Sequence, residues 1–306
     1  MKSKAEALHK KAIVFNALDS SRIRECDDKY IGKLRSSGTT AIHLCVAAGA
    51  ADEFIHDFKA TMWYCSSWWK VFSRYPEDIL IAETPADVER AKKANKVAVM
   101  YGVQNVTPLD GNLELLPVLR KVGITMMQLT YQRRSLAGDG CAEKVDGGLS
   151  KWGRELVQQM NDLGMVVDLG HSGTRTSLDA IACSRKPVVI SHACLRSLSD
   201  SVRNHTDDEI KAMAAKGGVI GIAGKSKYLK PDWMERRVTI ADYVDHIEYI
   251  KNLVGIDHVG IGTDIGDERK YNVERLKELY AKTPEIYAKS IPVDDAFVRN
   301  LHPEGL

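Results

Sequence analysis

The stretch from Met165 to His192, MVVDLGHSGTRTSLDAIACSRKPVVISH, decides the fold. Two short β-branched runs, Met165–His171 and Pro187–His192, flank a segment whose apolar residues recur at helical spacing, and each run ends in a histidine. Runs of this kind read as buried strands, and the segment between them suits a parallel crossover helix. The same unit repeats in both directions. Upstream lie Ala12–Asp19 (AIVFNALD), Thr39–Val46 (TTAIHLCV), Val97–Asn105 (VAVMYGVQN) and Thr125–Tyr131 (TMMQLTY); downstream lie Gly218–Gly224 (GVIGIAG) and His258–Asp264 (HVGIGTD). Helix-patterned stretches such as SKWGRELVQQMNDLG, DDEIKAMAAKGG and IADYVDHIEYIKNLVG separate them, several closed by a glycine suited to the left-handed terminator. Eight strand candidates alternating with helices predict an α/β fold, a single (β/α)8 TIM barrel over residues 1–306. An open doubly wound sheet is the runner-up, and no GxGxxG or GxxxxGK[ST] follows the first strand to support it.

Composition narrows the function classes. The chain has 306 residues, 27% charged and 44% hydrophobic, with 43 Lys+Arg against 41 Asp+Glu for a net charge of +2. That balance argues against a disordered chain and against an electrostatic nucleic-acid binder. No window is apolar enough for a membrane span, and the basic N-terminus lacks a signal-type apolar run, so the expectation is a cytoplasmic protein with no membrane or nucleic-acid partner. Six scattered cysteines without a CxxC pair read as free thiols. Trp63, Tyr64, Trp68, Trp69 and Phe72 have the spacing of one helix face, either buried or a subunit contact, and a homodimer is expected.

In a barrel, chemistry sits at the carboxyl ends of the strands. The candidate strands end in Asp19, Gln104 with Asn105, Tyr131, His171, His192 and Asp264. Singly, each has a plain reading: a histidine there caps or packs, and Asp19 can be the N-cap of the next helix. Together they form the nitrogen and carboxylate donor set of a zinc-type hydrolytic site acting on a small-molecule substrate. His43 lies inside its strand and reads as a satisfied barrel histidine, while His56, His205, His246, His258 and His302 receive no role. The basic run Lys225–Lys230 (KSKYLK) reads as a solvated loop or as a contact for an acidic substrate.

VVDLGHSG, VVISHAC, VRNHTDDEIKAMAAKGGVIGI and HVGIGTD resemble the membrane (renal) dipeptidase family of the amidohydrolase superfamily, from about Ile13 to Asp264. The resemblance implies a distorted (β/α)8 barrel of the metal-dependent hydrolase type, holding two zinc ions and hydrolysing dipeptides, some with a D-residue at the C-terminal side, and some β-lactams. Carried over by position, His171 and His192 match two histidine ligands, Asp264 the acid/base aspartate, and Arg203 the arginine for the substrate carboxylate, with Asn204 beside it. Three positions depart from the pattern. Ala17 stands where the family has a histidine ligand, Gln104 where it has the bridging glutamate, and Tyr131 where it has a substrate-binding histidine. These changes imply one metal, zinc or another divalent ion, held by His171 and His192 with Asp19, Gln104 or Asp264. If Asp264 binds the metal, Asp19 or Tyr131 must share in proton transfer.

The altered pattern is similar to a bacterial branch of the family reading FGFQN. That branch has a loop matched here by Gly138–Glu143, so Cys141 or Glu143 could supply a further anionic ligand or Cys141 a nucleophile; the alternative is a turn thiol and a surface acid. The tail ending at Leu306 resembles the middle of a loop that precedes the family's C-terminal helices, so an incomplete outer ring is expected. The leading reading is a metal-dependent hydrolase of a small amide or dipeptide. The alternatives are a non-hydrolytic barrel enzyme, performing elimination or decarboxylation of a small acid, and a catalytically silent member.

Overall fold

The computed structural model describes residues 2–23, 26–46 and 57–266. In chain order they form α1 (Lys2–Lys11), β1 (Phe15–Asp19), α2 (Asp28–Ser36), β2 (Ala41–Cys45), α3 (Phe58–Phe72), β3 (Ile79–Ile81), α4 (Pro85–Lys93), β4 (Val97–Val103), α5 (Leu116–Lys121), β5 (Ile124–Gln128), α6 (Lys151–Asp162), β6 (Val166–Asp168), α7 (Thr174–Cys183), β7 (Val189–Ala193), α8 (Asp207–Ala215), β8 (Val219–Ile222), α9 (Ser226–Leu229), α10 (Ile240–Val254) and β9 (Val259–Ile261).

β1 pairs with both β2 and β9, β2 pairs with β4, and β4 to β9 follow in order, so eight strands close a parallel barrel. These are the eight strands expected from the sequence. The ninth, β3, was not expected. It pairs with the start of β4, Ile79 opposite Val97, while β5 takes the same edge higher up, Val103 opposite Met127. Three residues are too few to show a period, so ILI between two helices carries no strand signal. The C-terminal helices at issue in the tail lie outside the described residues, as do His56 and His302.

Strand alternation divides the interior. Ile42, Leu44, Val99, Tyr101, Met127, Val167, Ile190, Ile220 and Ile222 join one core with Leu156, Val157 and Met160 of α6 and Ile210 and Met213 of α8. Burial of each such Leu or Ile stabilises by roughly 1.5–3 kcal/mol. The alternate positions Ala41 and Ala98 pack instead with Ala82, Val88 and Ala91, so α4 seals a second, smaller cluster with Phe15, Leu80 and Met100. Further along, buried polar side chains replace apolar ones: His43, Gln104, Gln128, Asp168 and His192. Buried polar groups require partners, and these organise the site described below.

The aromatic face of α3 splits in two. Trp68 is buried, stacks on Phe72 at 5.2 Å and donates its indole N–H to the Val46 carbonyl at 2.9 Å, whereas Trp63 and Trp69 face outward. No described helix is long and apolar enough to cross a membrane.

Three histidines given no role hold the fold. His246 bridges the Leu195 N–H and the Leu229 carbonyl, His258 bonds the Gly218 carbonyl, and His205 pairs with Glu209 at 2.8 Å. Glu209 also completes a capping box with Thr206 at the start of α8. Burial raises the Glu209 carboxyl, but His205 and the Thr206 N–H and hydroxyl outweigh it and bring it down to about 2 from the ordinary 4.5. A depressed carboxyl stabilises above its unfolded value and loses that contribution as pH falls through its folded value. The thermal midpoint should therefore drop between pH about 4.5 and about 2. Glu209→Gln should flatten that slope in a series of melts, and an unchanged slope would contradict the assignment.

His43 on β2 donates Nδ1–H to the Ala17 carbonyl at 2.8 Å, while its Nε2 has no hydrogen-bond partner. The ring lies where a side chain at Gly102 would begin: a Cβ there would meet Nε2 at 1.9 Å. His43 is thus a half-satisfied barrel histidine, and Gly102 is glycine to admit it. Gly102→Ala should cost about 1–3 kcal/mol by overpacking. That cost should vanish in the His43→Ala background, as urea unfolding of the four-member cycle would reveal.

Candidate active site at the strand ends

His192 lies on β7 and His171 just past β6, both buried, with their Nε2 atoms 3.0 Å apart. The adjacency follows from the order of strands, since consecutive parallel strands are neighbours and end on the same face. Asp168 sets the state of His192. Its Oδ1 accepts the Gly170 and Ser191 N–H groups, both at 2.9 Å, and its Oδ2 accepts the Ser191 hydroxyl at 2.5 Å. With its proton committed to Asp168, the Ser191 oxygen accepts from His192 Nδ1 at 2.7 Å. His192 therefore carries its proton on Nδ1 and presents an Nε2 lone pair to the site.

His171 is held differently. Its ring stacks on Tyr131 with centroids 4.0 Å apart, and its carbonyl accepts the Cys141 N–H at 2.8 Å. Its φ is 64°, in the left-handed region that a side chain disfavours; Asp264 has φ 55°. Backbone outliers of this kind gather at functional sites. Burial first, then Arg203, hold both imidazoles well below the usual histidine range, so both are neutral, and His171 Nε2–H donates to the His192 Nε2 lone pair.

The Gln104 amide completes this group, its Nε2 lying 3.3 Å from His192 Nε2. Its main-chain carbonyl is fixed by Gln128 at the same distance of 3.3 Å. Two imidazole nitrogens on one tetrahedral zinc lie about 3.3 Å apart, so the pair fits a single cation after a small opening. Among the described residues, no group of three or more His, Cys, Asp or Glu side chains is arranged to hold a metal. The expected ligands therefore separate: His171, His192 and Gln104 are brought together, and Asp19 is not among them. Asp19 accepts the Ser21 N–H at 2.8 Å and the Tyr30 hydroxyl at 3.0 Å, which makes it a turn and helix anchor in addition to a strand end. Glu143 accepts the Arg134 N–H at 2.8 Å within its own loop. Burial pushes the Cys141 thiol up, against Arg203, so neither residue joins the pair as an anionic ligand and Cys141 is a poor thiolate.

Arg203 is buried, and its Nη2 donates to the His192 carbonyl at 2.6 Å, while Nε and Nη1 have no hydrogen-bond partner. A buried guanidinium with unused N–H groups can receive a carboxylate through them. Asn204 is used otherwise. Its Nδ2 donates to the Ser199 and Tyr228 carbonyls, each at 2.8 Å, and so braces the loop that carries Arg203. The Asp264 N–H donates to the Leu18 carbonyl at 3.1 Å, and the residue is partly exposed just beyond β9.

Asp168 and Ser191 escaped the sequence reading. The available signal was local: Asp168 precedes His171 by three residues in VVDLGH, and Ser191 adjoins His192 in VVISH. Ser191→Ala should free the His192 tautomer and cut affinity for an added divalent metal about 10–100-fold in a chelator competition; unchanged affinity would show that the relay is idle.

Comparison with known proteins places these features in a family. The family model described as membrane dipeptidase, peptidase family M19, matches residues 9–291. Dipeptidase verJ of Clonostachys rogersoniana is 27% identical over 252 residues, 79% of this chain and 64% of that protein. The chain spans between 51% and 64% of the length of this and three other curated dipeptidase relatives. Among solved structures, an amidohydrolase from Pseudomonas aeruginosa superposes with a TM-score of 0.81 at 30% identity, covering 95% of this chain and 84% of that one. A metallopeptidase from Rhodobacter sphaeroides, solved with a phosphinate mimic of L-Ala-D-Ala, shares the fold with a TM-score of 0.73 at 17% identity, covering 95% of this chain and 96% of that one.

Proposed function

Because the chain belongs to the membrane dipeptidase family, peptidase family M19, we propose that it is a metal-dependent hydrolase of a small amide or dipeptide-like substrate, working with one zinc ion per chain. The observation that carries this reading is the pair of neutral imidazoles facing each other at 3.0 Å, with Arg203 fastened to the main chain of one of them. His171 and His192 would hold the metal, with the Gln104 amide beside them. When bound, such an ion polarises an amide carbonyl and makes water acidic enough to attack it.

The protein residues supply the rest. Arg203 receives the substrate carboxylate through an unused guanidinium N–H and so fixes which amide bond lies over the histidine pair. Tyr131 keeps the His171 ring in place by stacking and forms part of the wall against which the substrate rests. Asp264 is the group that takes the proton from attacking water and returns it to the departing amine. The absence of a carboxylate at position 104 and of an imidazole at position 17 leaves too few donors for a second tightly held zinc.

Elemental analysis of the zinc-loaded protein should give one metal per chain, and L,L and L,D dipeptides should be hydrolysed. Two zinc ions per chain would overturn the mononuclear reading, and no turnover by loaded protein would overturn the hydrolase. Arg203→Met should raise KM for a dipeptide about 30-fold or more, from the loss of a charge-assisted contact worth about 2–5 kcal/mol.

A further inference from the structure

Two consecutive residues on the loop after β7 grip the same tyrosine on α9. The Arg203 guanidinium carbon lies 5.7 Å from the centroid of the Tyr228 ring, within the range at which an aromatic face holds a cation. The Asn204 amide donates to the Tyr228 carbonyl at 2.8 Å and, at the same distance, to the carbonyl of Ser199 in its own loop. Ring and main chain of Tyr228 are thus each fastened to the arginine loop, and the segments after β7 and β8 are joined at one residue. The platform is fixed: Tyr228 is 8% exposed, Arg203 3% and Asn204 2%, and the neighbouring Leu229 carbonyl is bonded by His246 at 2.9 Å.

The two holds on the Arg203 side chain act differently. Its Nη2 donates to the His192 carbonyl at 2.6 Å, which fixes one corner of a planar group. A single hydrogen bond leaves the plane free to swing about that corner. The ring restricts the swing, because the attraction weakens once the guanidinium leaves the aromatic face. Nε and Nη1 are buried without a hydrogen-bond partner, so the direction in which they present their N–H groups is set by Tyr228. Burial makes that direction consequential, since a buried donor that misses its anion stays unsatisfied.

Building on the hydrolase reading and its use of Arg203, we propose that Tyr228 is a positioning residue: its ring aims the Arg203 guanidinium at the substrate carboxylate and so sets the preference of the site for a free carboxyl terminus. The test is a calorimetric titration of the full chain with N-acetylalanine and with the neutral N-acetylalaninamide, each in both enantiomers. In at least one hand, the native protein should bind the carboxylate at least about tenfold more tightly than the amide. Tyr228→Phe keeps the ring and should preserve that preference within about twofold. Tyr228→Leu should lower it about fivefold or more by weakening the carboxylate, with the amide within about twofold of its original Kd. A tyrosine that merely held the fold would weaken both ligands together; that result, or a preference lost in Tyr228→Phe, would overturn the proposal. Should Tyr228→Leu fail to fold, the Arg203 Nε–H resonance decides, assigned by its absence from Arg203→Lys. The ring should move it upfield in the native protein and in Tyr228→Phe, and a resonance at the ordinary arginine position would overturn the proposal. The readings separate, because binding is measured without turnover. A native preference that Tyr228→Leu leaves intact sinks this inference alone, and no measurable native preference removes the carboxylate role of Arg203 and this inference with it. A preference that depends on Tyr228 in a protein that hydrolyses nothing sinks the hydrolase alone.

Discussion

The Ser191 hydroxyl has one proton to donate, and Asp168 takes it. The hydroxyl oxygen then faces His192 Nδ1 as an acceptor, and the second ring nitrogen is left as a lone pair aimed at His171. The geometry of the pair depends on this chain of two short bonds. Asp168 is fully buried, and its carboxylate is tolerated there because two main-chain N–H groups and a hydroxyl satisfy it. The same carboxylate thus joins β6 to β7 and sets the protonation pattern of the site between them.

Around that pair the electrostatics are one-sided. Arg203 is fastened to the His192 carbonyl, and its neighbourhood, together with burial, keeps both imidazoles neutral. A neutral imidazole can bind a cation, and a desolvated guanidinium with open donors can bind a carboxylate. The two requirements therefore support each other: the positive charge that suits Arg203 to a carboxylate also suppresses protonation of the histidines. The substitution of Gln104 for a carboxylate tilts the balance further toward positive charge, since a neutral amide now stands 3.3 Å from His192.

Much of this was legible in the chain. The alternation of apolar runs with helical stretches announced a parallel barrel, and the polar residues ending those runs include His171 and His192, whose rings meet. The resemblance carried by VVDLGHSG and VVISHAC named the family that the chain belongs to. Legibility failed where a residue does two jobs or where an element is short. Asp19 reads as a ligand by its place at a strand end, yet its oxygens accept from Ser21 and Tyr30. Asn204 reads as a substrate contact by adjacency to Arg203, yet its amide bridges two loops. β3 carries too few residues to show a period.

The order of strands, their parallel sense and the types of residue at their ends were determined by the sequence itself, because hydrophobic periodicity is a property of neighbours along the chain. Which of those residues meet was decided only by tertiary structure. Closing a barrel brings together atoms far apart in sequence, such as His43 over Gly102, Arg203 and Lys227 around Tyr228, and Gln104 at His192. Hydrogen bonds and charge interactions act over a few ångströms, a distance that no spacing along the chain encodes.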